Sequence, residues 1–381
     1  MQRKTLNILI GIVIVVVVVN LILLLAALSP TGKVVSESGG EVVIGAIMPL
    51  TGDISTIGQN TREGIELAVK EVNDAGGING KKLRVIYEDG QCGPKEASNA
   101  ANKLVNVNKV PVIIGGLCSS ETLAVAPIAE SSGTVAFSMC SSNPGITDAG
   151  DYVFRSYPSD NFQGKYAAQY AYNELGARDV AIMSCLSDWC FGIQEVFTDE
   201  FENLGGKVVE VEEFEMTATD LRTQLTKIKQ KDPDMIYFLS YTDAGINGLK
   251  QIKELGINVP VLGGDAWNDP KLATDSGSAA EGIMWAEVYT PLTSSFKADL
   301  KARTGSDEIT LCTPQGYDNV HIIAEIMRRV GTDPDAIRDA LYSVEGYPGV
   351  SGVITIDGNG DLASANYVIK TIKNGKAVAI N

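Results

Sequence analysis

Two short stretches set hydroxyls and thiols side by side where apolar runs end: GGLCSSET at residues 115–122 and SMCSSNPG at 138–145. Cys118 could serve as a nucleophile, a metal ligand or half of a disulfide, and each chemistry demands different neighbours. A nucleophile needs a base, yet the chain holds 1 histidine, His321 in YDNVHIIAEIM, and no serine sits in a G-x-S-x-G elbow. That argues against a hydrolase built on a Ser-His-Asp or Cys-His group. A metal needs clustered ligands, and no C-x-x-C pair occurs, so neither a metal nor any other cofactor is expected.

The serines point elsewhere. Ser119 and Ser120, and again Ser141 and Ser142, occupy or adjoin predicted helix starts, where free backbone N–H groups face outward at the positive end of the helix dipole. A carboxylate is the natural guest there. One such pair would do no more than cap its own helix; two pairs at neighbouring strand ends suggest a site. In the second half of the chain, Asp265 in GGDAWND, with Tyr241 and Trp267, offers charge and aromatic faces to an ammonium group. Carboxylate donors opposite an acid and aromatics describe a pocket for a zwitterion, an α-amino acid or something close to it.

These residues need elements to hold them. From Val42 onward, short β-rich runs (VVIGAIM, KLRVIYE, VPVIIGG, TVAFSMC) alternate with amphipathic stretches such as TREGIELAVKEVND, which predicts parallel βαβ units. The order restarts near Arg178 with DVAIMSC, GKVVEVEEF, PDMIYFLS and VPVLGG. AEGIMWAEVY reads as a strand crossing away from this second half, SSFKADLKARTG and TPQGYDNVHIIAEIMRRV as helices, and the C-terminal stretch as a closing hairpin turning at Asp357–Gly360. GGINGKK follows a helix and precedes a strand, the reverse of a P-loop, and marks a turn. In open parallel sheets the ligand lies beyond the carboxyl ends of the strands, where both serine pairs, Tyr241 and Asp265 fall.

The compartment follows from the N-terminus. After Arg3 and Lys4, the 23 residues Leu6–Leu28 carry no charge, long enough at about 1.5 Å per residue to cross a hydrocarbon core of about 30 Å. A cleaved signal peptide and a retained anchor compete; the long apolar core and Pro30 favour the anchor. Either way the remainder is exported, anchored to the outer face of the cell membrane or secreted if cleaved. Setting Arg3 and Lys4 aside, 29 basic residues face 47 acidic ones, which argues against nucleic acid as a partner. The reading is therefore residues 1–29 as anchor or signal, 30–41 as flexible tether, 42–157 with 290–345 as a first lobe, and 158–289 with 346–381 as a second.

At IGAIMPLTGDISTIGQNTREGIELAVKEVNDAGGINGKKLRVIYEDGQCGPKEA, GGLCSSET, FRSYPSDNFQG and GGDAW the chain resembles the type I periplasmic binding proteins of ABC importers, in particular the branched-chain amino acid group. The resemblance implies two Rossmann-like α/β lobes with parallel sheets joined by three crossovers, no catalysis, closure on a small amino acid, and docking to a membrane permease. It assigns Ser119 and Ser142 to the ligand carboxylate with Cys140 and Ser141 on the same loop, Asp265 to the amino group, Tyr241 and Tyr317 to ring contacts, and Phe191 to a cleft wall. Asp265 stands where the family commonly has Glu, the run Cys140, Ser141, Ser142 replaces Ala-Ala-Thr, and Ile57 replaces a tyrosine. Relatives of the fold take amides, urea or aromatic acids, and some serve as ligand-sensing ectodomains. The family also pairs cysteines at positions 92 and 118. Cys185 and Cys190 are close enough to pair within one loop; Cys140 and Cys312 would then be left over, and the pairing of these four stays open, three bridges without a free thiol being the simplest outcome.

Overall fold

The computed structural model describes residues 40–380. The apolar stretch Leu6–Leu28 and the tether lie outside the described residues, and among these no helix is long and apolar enough to cross a membrane.

Two open sheets organise the chain. The first has the order β2-β1-β3-β4-β5, built from β1 (Glu41–Met48), β2 (Lys82–Asp89), β3 (Val112–Ile114), β4 (Val135–Ser138) and β5 (Val153–Arg155), all parallel. Ile44, Ala46, Ile47 and Met48 of β1 are all fully buried, so side chains on both faces are covered, as a sheet clad by helices requires. Helix α1 (Ser55–Asp74) turns Ile57, Thr61, Ile65, Ala68 and Val72 inward, the spacing of one helical face.

The second sheet runs β14-β13-β10-β9-β8-β6-β7, from β6 (Asp179–Cys185), β7 (Lys207–Phe214), β8 (Met235–Leu239), β9 (Val261–Gly263), β10 (Met284–Val288), β13 (Tyr367–Lys373) and β14 (Lys376–Ala379). Strands β6 to β10 are parallel, and β13 and β14 add an antiparallel edge. Strand β10 thus stays within the second sheet. Its partner β9 offers the apolar run VLG and β13 the run YVI, so it is buried from both sides.

The chain passes between the lobes three times. It leaves the first after β5, returns after β10 to lay helices α9 (Ser294–Thr304) and α10 (Thr313–Val330) against α1, and crosses again to β13. A small hairpin, β11 (Tyr347–Gly349) with β12 (Gly352–Ile354), precedes that last passage. It falls in the stretch from 346 that the sequence reading gave to the second lobe, but Asp318 on α10 accepts from Val350 N at 2.9 Å and Ser351 N at 2.8 Å, holding the hairpin to the first. The closing hairpin turns at Asn374-Gly375, both in left-handed backbone with φ of 54° and 70°, an Asn-Gly signature the sequence reading passed over. The Asp357–Gly360 segment instead forms a loop whose Gly360 oxygen accepts from Arg155 N at 2.9 Å.

In the first sheet β1 lies between β2 and β3, and in the second β6 lies between β7 and β8. The connections from these strands leave in opposite directions, opening a crevice at the carboxyl end of each sheet.

Candidate functional site

The crevices face each other and enclose a small cavity of ≈ 40 Å³, a few times what one water requires at about 10–15 Å³. Every strand that ends at it contributes. Ile54 and Ile57 follow β1; Leu117, Cys118 and Ser119 follow β3; Cys140 and Ser142 follow β4; Trp189 follows β6, Tyr241 follows β8, and Asp265 with Ala266 follows β9. Leu311 comes from the segment before α10.

Ser119 is the first residue of helix α3 (Ser119–Ser132), with Cys118 in extended backbone at the cap. Glu121, buried in the first turn, secures this corner: its carboxylate accepts from Leu117 N at 2.9 Å, Cys118 N at 3.0 Å and Cys92 N at 3.0 Å. Burial lifts its carboxyl to about 7 against the pull of those three donors. The loop after β4 is stitched to this corner. Ser138 Oγ donates to Gly116 O at 2.7 Å, Ser141 Oγ lies 2.6 Å from Thr122 Oγ1, and Asn143 N donates to Ser119 Oγ at 3.2 Å.

Across the cavity, Asp265 opens a short turn of 3-10 helix after β9. It is 3% exposed, and Tyr157 Oη donates to its Oδ2 at 2.6 Å. Burial pushes its carboxyl up to about 6. Asp160, also buried, is raised well above the usual range by burial and then by the Asp265 charge, against the pull of the Ser142 hydroxyl. Two neighbouring carboxyls driven apart in this way leave Asp265 to carry the charge. Tyr241 caps helix α7 (Thr242–Glu254), its ring centroid 5.1 Å from that of Trp189 and its Oη 3.7 Å from Cys92 Sγ.

Of the residues singled out in the sequence, Ser119, Cys140, Ser142, Tyr241 and Asp265 converge on the cavity, and Ser120, Ser141, Phe191, Trp267 and Tyr317 lie outside its lining. Ser120 is buried in the helix turn behind Ser119. Ser141 spends its hydroxyl on Thr122 and the Gly116 and Leu117 carbonyls. Trp267 packs edge-on to Phe238 and donates its Nε1 to Ser240 Oγ at 3.0 Å, within the second lobe's core. Phe191 is 40% exposed on helix α5 (Asp188–Asn203). Tyr317 faces α1, where its hydroxyl donates to Glu71 at 2.6 Å. The sequence reading missed Trp189, whose signal was its place directly after the strand DVAIMSC, two residues before Phe191. It also missed the apolar wall of Ile54, Leu117 and Leu311.

All three disulfides are formed, Cys92–Cys118, Cys140–Cys312 and Cys185–Cys190. Each braces a segment that lines the cavity: Cys118 and Cys140 lie in the wall, and Trp189, in the first turn of α5, stands between Cys185 and Cys190. Among the described residues no cluster of His, Cys, Asp and Glu is arranged to hold a metal ion.

Two α/β lobes that meet at a small cavity, with polar groups brought from both sides, define a solute-binding receptor. The chain belongs to the periplasmic binding protein family, whose model matches residues 41–377. It is 28% identical over 352 residues, 91% of this chain and 94% of the relative, to an amino acid binding protein of Pseudomonas aeruginosa. Among solved structures it superposes on a leucine-binding protein, LivK, of Thermotoga maritima with a TM-score of 0.83 at 30% identity, covering 89% of this chain and 98% of that one. A branched-chain amino acid transporter substrate-binding protein of Streptococcus pneumoniae, LivJ, solved with isoleucine, gives 0.81 at 27% identity, covering 89% and 99%.

Proposed function

We propose that this protein is the extracytoplasmic receptor of an ABC importer, capturing a small aliphatic α-amino acid between its lobes and delivering it to a membrane permease. The observation that carries the reading is the pairing across one small cavity: Ser119 and Ser142 from the first lobe, Asp265 from the second, apolar side chains between. The α-carboxylate sits at the start of α3, on the Ser119 hydroxyl and the N–H groups of the first turn. The ammonium meets Asp265, and Tyr241 and Trp189 shut out water, which strengthens both contacts. Ile54, Ile57, Leu117 and Leu311 receive the side chain. Names of relatives with leucine and isoleucine as ligands support the branched aliphatic choice.

The mechanism is conformational. A ligand that touches both lobes binds the closed form better than the open one and raises its population by that difference. The chain's single histidine, His321, pairs with Glu71 at 3.1 Å on the α1 side of α10 and does not line the cavity. Titration calorimetry with leucine, isoleucine and valine tests the reading. Saturable binding that disappears in Asp265→Ala, with the unfolding transition retained, is the expected result; unchanged affinity in that variant removes the site assignment.

A further inference from the structure

A second and larger cavity, of ≈ 420 Å³, lies against the first. It is bounded by both lobes and by the passages between them: Tyr157 follows β5, Val288 and Leu292 straddle the return after β10, Ile309 and Gln315 flank the start of α10, and Lys370 stands on β13. One layer of side chains separates the two spaces. Tyr157 lines the second cavity and donates its hydroxyl to Asp265, which lines the first. Cys312 lines the second and is bonded to Cys140 in the first, and Leu311 faces both.

The walls specify a guest. Val288, Leu292, Ile309 and Leu311 make the space largely apolar. Its one buried acid, Glu287, is already satisfied by Lys370 Nζ at 2.7 Å, Asn268 Nδ2 at 3.0 Å and Trp285 Nε1 at 2.9 Å, so a charged guest would lose its hydration without finding an unpaired counter-charge. One polar group is left over: Gln315, 4% exposed, whose Oε1 accepts no hydrogen bond. Buried carboxamide oxygens are ordinarily satisfied, and a donor from a bound molecule would satisfy this one. The volume lies in the range of small-molecule sites, about 300–1,000 Å³.

We propose that this hinge cavity is a second ligand site, taking a neutral, ring-sized apolar molecule that carries one O–H or N–H donor, and that its occupancy favours lobe closure. The cavity is assembled from the passages that must bend when the lobes part, and it is present in the closed form, with Asn143 Nδ2 on Asp188 O. A guest that fits here binds the closed form preferentially, and the shared wall at Tyr157 is the point where its presence reaches Asp265. Linkage then requires the amino acid and the hinge guest to raise each other's affinity by one common factor.

Phenol serves as the probe, with toluene as the control lacking a donor. Calorimetry of the whole protein should show saturable phenol binding, at least tenfold weaker toluene binding, and loss of phenol binding when Leu292→Trp fills the cavity. Gln315→Leu should bring phenol down to the toluene level. Phenol at saturation should strengthen leucine binding severalfold in the wild type and leave it unchanged in Leu292→Trp. No saturable phenol binding, or binding indifferent to Leu292→Trp, overturns the proposal. So does phenol that competes with leucine, which would place it in the first cavity. Because the phenol titration needs no amino acid, its outcome stands apart from that of the ligand assignment above.

Discussion

At the scale of single residues the proposed site turns on how the charge of Asp265 is held in a buried place. Its carboxyl sits at about 6 because burial penalises the ion, and an ammonium bound as proposed needs the ion. Binding must therefore be full above pH 7 and weaken as the solution is acidified through 6, approaching about tenfold per pH unit once the empty site is mostly protonated. Calorimetry between pH 4.5 and 8 (about one reading per half unit) should trace this fall, and Asp265→Asn should bind weakly and without it; a wild-type profile flat through pH 5 contradicts the assignment. Tyr157 is the positioning residue, since its hydroxyl fixes Oδ2 at 2.6 Å. A hydrogen bond to a charged group contributes about 1.5–3 kcal/mol, so Tyr157→Phe should weaken the amino acid by about 10- to 100-fold and move the acid limb to higher pH. An affinity loss with an unmoved pH profile would mean that Tyr157 acts through packing alone. Of these residues, Asp265 was legible in the sequence because an acid in GGDAW stands at a strand end. Tyr157 was not, because its partner lies 108 positions away and nothing local in RSYPSD signals that distance.

At the scale of elements, the alternation of β-rich runs with amphipathic helices was enough to read both sheets, because burial on both faces leaves near-continuous apolar strands. What that alternation did not show was which aromatic near each strand end turns inward. Trp189, Phe191 and Trp267 are similar as letters, yet one lines the cavity, one is exposed and one packs behind β8. The choice is made by how α5 enters: Ser187 caps it through Cys190 N at 3.2 Å, and the Cys185–Cys190 bridge ties the end of β6 to the first turn of α5. The disulfides should accordingly separate by function. In the chain-entropy model a bridge across 172 residues contributes about 5 kcal/mol and one across 5 residues about 2. Replacing Cys185 and Cys190 by alanine should lower the melting temperature by only a few degrees while weakening the amino acid severalfold, since Trp189 loses its brace. Removing Cys140 and Cys312 should lower the melting temperature most. Thermal unfolding beside calorimetry checks both, and the reverse ranking would refute the division.

At the scale of the whole molecule, the proposed function is a change in the relation of the lobes, and direct contacts between them would fasten the closed form. One such contact joins Asn143 Nδ2 in the first lobe to Asp188 O at the start of α5 in the second, at 2.5 Å. Asn143 is itself fixed, because its Oδ1 accepts from Gly145 N at 2.7 Å and its carbonyl accepts from buried Arg155 at 2.8 Å. Gly192 allows the approach: a Cβ there would lie 2.8 Å from Pro144 Cδ and closer still to the Asn143 amide. This latch forms only when the lobes have met, so it belongs to the stability of the closed state and not to first encounter. Asn143→Ala should therefore leave the association rate for leucine within about twofold while raising the dissociation rate by about 5- to 10-fold, the worth of roughly 1 kcal/mol for one lost hydrogen bond. Gly192→Ala should act in the same direction by keeping α5 away from Pro144. Stopped-flow tryptophan fluorescence, with Trp189 in the wall as reporter, measures both rates, and small-angle scattering should show the wild type contracting on adding leucine. A slowed association with unchanged dissociation would place Asn143 in the encounter step instead and take the latch away.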